Sequence, residues 1–257
     1  MKKTMFFSDE RKEDFAFIAR KEKLVIDNYK YINNNIFYKI AEFFVYRIIM
    51  LPIAFLFPLF KHKVKYKNKR VLKKIKTGYF LYGNHTQIPS DAYFPNVISF
   101  PRKSFVIIHP DSIAIKGTEN FIKMSGGMPI PSNLSGIKNF MNAIERRVRK
   151  HAIVIYPESH VWPYYTKIRN FGDTSFKYPI KFNKPSFCFT VVYKKRKFGN
   201  KPKVVVYVDG PFYSDKEKTQ KQQQIGLRNQ IYDKMVERAK ESNCEYIRYF
   251  KRSESND

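Results

Sequence analysis

Residues 77–94 read TGYFLYGNHTQIPSDAYF. Four bulky apolar residues, Tyr79 to Tyr82, stand between Gly78 and Gly83 without polar alternation, which predicts a short strand buried on both faces. The polar stretch after it, with Pro89 and Ser90, predicts a turn in which Ser90 caps a following helix. Moving outward, similar runs recur at 105–109, 152–156, 187–193 and 204–208. Between them, 135–150 places Ile137, Met141, Ile144 and Val148 on one helical face, and 216–242 carries Ile225, Tyr232, Met235, Val236 and Ala239. Strands alternating with helices predict an α/β fold, a single mixed-sheet domain flanked by helices, over residues 77–257.

Residues 1–76 have a different character, that of an N-terminal amphipathic, membrane-associating helical segment. The stretch 36–60, IFYKIAEFFVYRIIMLPIAFLFPLF, is the most apolar, but Lys39, Glu42 and Arg47 interrupt it, and Pro52 and Pro58 are expected to break any helix. Its longest uncharged run, 48–60, has thirteen residues; a spanning helix needs about 20, so the segment reads as interfacial. KHKVKYKNKRVLKKIK follows at 61–76, with nine Lys or Arg and no acid. An apolar anchor beside a polybasic run is the arrangement that holds a protein on an anionic leaflet. The first twenty residues have a basic start but no uninterrupted apolar core, unlike a secretory signal. With only Cys188 and Cys244 there is no disulfide framework. The expected location is the cytoplasmic face of the membrane, as a peripheral or monotopic protein.

The whole chain has 257 residues, 49 Lys plus Arg against 22 Asp plus Glu, and a net charge of +27. An apolar content of 43% excludes intrinsic disorder, and the composition excludes collagen-like, coiled-coil and disulfide-scaffold classes. The charge demands an anionic partner: membrane, acidic carrier protein or nucleic acid. Nucleic acid draws support from KKRKFGNKPK at 194–203. It ranks behind the membrane, because it leaves the ordered His, Asp and Glu described next without a purpose.

The sequence contains no G-x-S-x-G elbow, P-loop, dinucleotide fingerprint or H-E-x-x-H. What remains is His85 at the end of the first domain strand, with Asp91 six positions on. A His at a strand terminus can accept a proton while a carboxylate fixes its tautomer. Without an enzyme nucleophile, the substrate's own hydroxyl must attack. The bland reading of His85 is a turn-capping side chain. A second segment, VIYPESHVWPYY at 154–165, presents Glu158 at the same C-terminal sheet edge, where α/β folds bind ligands.

These blocks resemble the glycerolipid acyltransferase family typified by 1-acyl-glycerol-3-phosphate acyltransferases. That family carries N-H-x-x-x-x-D, then G-x-I-(F/P)-(I/V)-x-R, then (F/Y)-P-E-G-T-R-S, then P-(V/I)-x-P-(V/I). Here GNHTQIPSD at 83–91, GGMPIPS at 126–132, IYPESH at 155–160 and KPSFCFTVVY at 184–193 follow in the same order over about 115 residues. The resemblance implies His85 as base and Asp91 as its orienter. It implies an acyl-CoA or acyl-ACP (acyl carrier protein) thioester as co-substrate, a lysophospholipid acceptor such as 1-acyl-glycerol-3-phosphate, and no metal or other cofactor. It also implies an acceptor pocket built from Gly127, Met128, Pro129, Glu158 and Ser159, and a place in phospholipid biosynthesis.

The chain departs from the pattern at several positions. Five residues separate His85 from Asp91 where the family has four, the second-block Arg falls on Ser132, and the third-block Gly, Thr and Arg fall on Ser159, His160 and Val161. The family's phosphate-binding cations are thus missing, and Lys167, Arg169 and Lys177 are the nearest replacements by charge. An acceptor without phosphate, such as a glycolipid, is the alternative, and a basic membrane- or nucleic-acid-binding protein without catalysis is the other.

Overall fold

The computed structural model describes residues 3–15, 29–113 and 117–252. Among them the strands are β1 (Lys3–Phe7), β2 (Lys65–Lys67), β3 (Tyr79–Gly83), β4 (Ser104–Ile108), β5 (Gly127–Pro129), β6 (Ala152–Ile155), β7 (Ser186–Lys194), β8 (Lys203–Phe212) and β9 (Ile247–Lys251). The α-helices are α1 (Ile36–Phe44), α2 (Leu51–His62), α3 (Phe94–Ser99), α4 (Glu119–Met124), α5 (Leu134–Val148), α6 (Lys177–Lys181) and α7 (Gln220–Ala239). Residues 1–2 and 16–20 of the stretch read for a signal, and 114–116 and 253–257 of the domain, lie outside the described residues.

Seven strands form one mixed sheet in the order β2-β8-β7-β3-β6-β4-β5. Strands β3 to β7 run parallel to one another, β8 runs antiparallel to β7, and β2 runs parallel to β8. The unbroken apolar run of β3 is explained by burial of all five residues. Phe80 and Tyr82 point to the layer covered by α5 and α7, with Phe140, Ile144, Ile231 and Met235. Tyr79 and Leu81 point to the other, with Phe94 and Ile98 of α3 and Leu72 from the polybasic run. A separate two-stranded sheet pairs β1 with β9 in parallel.

Several details correct the sequence reading. Ser90 does not cap an α-helix; it opens a 3-10 turn (Ser90–Ala92), and α3 begins at Phe94. The buried face of α5 is Gly136, Phe140, Ala143, Ile144 and Val148, so Ile137 is turned out to solvent, as is Ile225 of α7. The largest difference is in the apolar segment. α1, a π-helical turn (Val45–Met50) and α2 run on as one helical stretch, Ile36–His62, of 27 residues. Pro52 falls in the first turn of α2, directly after the wide π turn, where a missing N–H costs least. Pro58 lies inside the helix, buried against the domain, and that packing carries the helix through it. By length and composition this stretch could cross a membrane. The segment before residue 77 also supplies two strands, β1 and β2, and β2 belongs to the main sheet.

Candidate functional site

Because β3 to β7 are parallel, their C-terminal ends share one edge of the sheet, and β3 and β6 are adjacent there. Gly83 closes β3 against Phe189 of β7: a Cβ at this position would lie 2.1 Å from the Phe189 ring. Asn84, 1% exposed, then clasps the backbone of Val191, donating from Nδ2 to its carbonyl at 3.1 Å and accepting its N–H at Oδ1 at 2.8 Å. The next residue, His85, is thereby fixed where the strand ends.

His85 Nδ1 is 2.7 Å from Asp91 Oδ2, which also accepts the Gln87 N–H at 2.8 Å. A carboxylate at Nδ1 makes that nitrogen the protonated one and leaves Nε2 with a free lone pair. The extra residue between His85 and Asp91 is taken up by the turn, in which the Asp91 N–H donates to the Gln87 carbonyl at 2.7 Å. Burial pushes the Asp91 carboxyl above its usual range, while the bonds from His85 and Gln87 pull it back down. The ring of His85 stacks on Tyr156 at 4.4 Å, and the Tyr156 hydroxyl donates to the Asp91 carbonyl. With 22% of its side chain exposed, against 4% for Asp91, the imidazole is reachable while its partner is not.

Glu158 does not take the place expected for it. Its side chain is fully buried and ion-paired with Arg169 at 3.0 Å, Oε2 accepts the His85 N–H at 3.1 Å, and Oε1 accepts the Arg169 N–H at 3.0 Å. Arg169, expected to bind substrate, is equally enclosed: its side chain is 1% exposed, and the guanidinium donates to Glu158 and to the His160 carbonyl and lies over the Trp162 ring. A buried pair of this kind is costly to break. It serves the site by holding the His85 backbone, whose carbonyl accepts the Trp162 N–H at 3.1 Å.

Ser159 is exposed with φ +63°, the left-handed conformation, at the position where the resembled pattern carries Gly. Gly127, Met128 and Pro129 form the edge strand β5, three strand spacings or about 14 Å from β3. Met128 is wholly buried, so this block lies apart from the immediate surroundings of His85. Cys188 is buried in the core and its thiol is pushed well up by burial, which removes it as a nucleophile.

The sequence reading missed Asn84 as the clasp on β7, although it stands beside His85 in the first block. It also missed Gln87, whose Nε2 lies 3.1 Å from His62 Nε2 and whose Oε1 accepts the Tyr193 hydroxyl at 3.1 Å. Through Gln87 the dyad touches the end of α2, at the same sheet edge as the β7–β8 hairpin. There Arg196 donates to the Lys61 carbonyl at 3.4 Å, so the two basic runs, far apart in sequence, meet in space. Phe198, 80% exposed, stands on that hairpin.

No family model and no curated protein matches the chain. Among solved structures, the chain is similar to the 1-acyl-sn-glycerophosphate (LPA) acyltransferase, PlsC, from Thermotoga maritima. The identity is 16% and the TM-score 0.48, over 79% of this chain and 93% of that one.

Proposed function

We propose that the protein is an acyltransferase that moves a fatty acyl chain from a thioester to a hydroxyl on a lipid acceptor. The observation that carries this reading is the His85–Asp91 pair, 2.7 Å apart, with a reachable imidazole and a buried carboxylate. The order of the four sequence blocks supports it. Nε2 of His85 takes the proton of the acceptor hydroxyl, and the oxygen attacks the thioester carbonyl. The C–S bond then breaks, and the departing thiolate receives the proton from the imidazolium. Asp91 holds the tautomer and stabilises the imidazolium, strongly so because it is buried. The donor is acyl-CoA or acyl-ACP, and the acceptor is a lysophospholipid. One observation favours the second reading, an acceptor without phosphate: Arg169, the guanidinium nearest the third block, is spent on Glu158.

The helical stretch 36–62 supports association with a membrane. Phe37, Phe43, Ile48, Leu56 and Phe60 are exposed along it. Polar bonds tie its other side to the α/β domain: Lys103 to Glu42 at 2.7 Å, Tyr46 to Asn96 at 2.8 Å, and Arg47 to the Pro101 carbonyl at 3.2 Å. A helix docked sideways in this manner lies on the bilayer surface with its apolar face inward.

Free-thiol release from acyl-CoA and from acyl-ACP, measured with lysolipids bearing and lacking phosphate, tests the reading. His85→Ala is expected to lower kcat by about 10²-fold or more. Near-normal turnover in folded His85→Ala, or no release by the wild type from either donor, would sink it.

A further inference from the structure

A second site lies at the opposite edge of the sheet, where Lys103 and His151 precede β4 and β6. A cavity of about 320 Å³ opens there between α1, α4 and α5, lined among others by Tyr38, Glu42, Lys123, Arg146, Arg147 and His151. The length of a strand, about 16 Å for five residues, separates it from the edge that carries His85. Four cations line it, Lys39, Lys123, Arg146 and Arg147, and Glu42, its carboxylate, is already matched by Lys103 Nζ at 2.7 Å.

Several polar atoms at and beside it have no partner within the protein. Arg147 donates from Nη2 to the Tyr31 carbonyl and lies 4.1 Å over the Phe105 ring, so its guanidinium is fixed. Its Nη1 is nevertheless buried with no hydrogen-bond partner, as are the Tyr38 hydroxyl, His151 Nδ1 and, behind Lys123, the Tyr29 hydroxyl. Buried polar atoms are rarely left unbonded, and each such loss costs roughly 1–3 kcal/mol. Unpartnered polar atoms occur elsewhere in the described residues, but here three of them, on Tyr38, Arg147 and His151, line one cationic cavity, which marks a place for an acceptor-rich anion.

We propose that this cavity binds a phosphate group, as a monoester or diester. A phosphoryl group offers several acceptor oxygens to donors converging from different directions, and a fixed guanidinium with a free N–H suits it. Arg147 supplies the oriented contact, Lys123 the neutralising charge and Tyr38 a neutral donor. Burial pushes the Tyr38 phenol up to about 12, so it remains a donor at neutral pH. The same chemistry comes from a free phosphate or from a phospholipid headgroup. α1 presents Phe37 and Phe43 to the exterior and Tyr38 and Glu42 to the cavity, so both sources can reach it.

Titration calorimetry of the full chain with inorganic phosphate and with glycerol 3-phosphate, at ionic strength matched with chloride, tests the proposal. Wild type and His85→Ala are expected to bind alike. Arg147→Met and Lys123→Met, each checked for folding by circular dichroism, are expected to bind at least about tenfold more weakly, as when a charge-assisted bond is lost. Lys123 is the safer variant, because Arg147 also holds the Tyr31 carbonyl. A control at the exposed Lys216, Lys216→Met, is expected to bind as wild type does. Co-sedimentation with phosphatidylcholine vesicles with and without phosphatidic acid separates the sources. A headgroup site loses phosphatidic acid-dependent binding in Lys123→Met, whereas a site for free phosphate loses only the soluble ligand. Wild type that shows no saturable phosphate binding, or folded Arg147→Met and Lys123→Met proteins that both bind like wild type, would overturn the proposal.

Discussion

Ser159 holds a left-handed backbone, φ +63°, between the buried Glu158 and His160. An L-residue with a Cβ is strained there by about 1–2 kcal/mol, and glycine is not. Ser159→Gly is therefore expected to stabilise the fold by about 0.5–1 kcal/mol once glycine's greater unfolded-state freedom is subtracted, measurable by urea unfolding. Loss of stability in that variant would contradict the strain. The position was visible in the sequence as a Ser standing where the resembled pattern has Gly. The fate of Glu158 and Arg169 was not visible, because spacing reveals that a carboxylate follows a strand but not which way it turns. Eleven positions apart and both charged, they looked like two surface groups; in the structure each neutralises the other inside the protein.

Elements buried on both faces were legible, since β3, β6, β7 and β8 announce themselves as continuous apolar runs. β1 and β9 were not. Their strands are largely exposed, with few buried positions to set a pattern, and they are short. The helix 36–62 was misread as broken because proline was weighed without the π turn before it and the domain behind it. Its exposed apolar face carries a prediction at this scale. Replacing Phe37 and Phe60 together by Ser is expected to weaken partition onto anionic vesicles by about tenfold per residue, from roughly 1.5–3 kcal/mol per buried Phe. Flotation assays would measure it, and unchanged flotation would count against the surface-lying helix.

The dyad depends on parts of the molecule far from it. Tyr249 of β9 stacks on Trp162 at 5.0 Å, Phe7 of β1 meets the same ring edge-on at 4.6 Å, and the Trp162 Nε1–H donates to the Glu13 carbonyl at 2.8 Å. Arg169 lies over this ring and Glu158 holds Arg169, so the β1–β9 pair braces the His85 backbone from behind. Tyr249→Ala is expected to lower kcat about tenfold with KM little changed, through misplacement of His85, and Tyr249→Phe to restore most of it. Equal activity in all three proteins would show that the brace does not reach the site. β1 and β9 are joined across about 240 residues of chain, a closure whose entropic cost comes before its reward. Trp162 is the single tryptophan of the sequence. The molecule thus carries an optical gauge at its last seam, whose fluorescence reads whether the two distant strands have met.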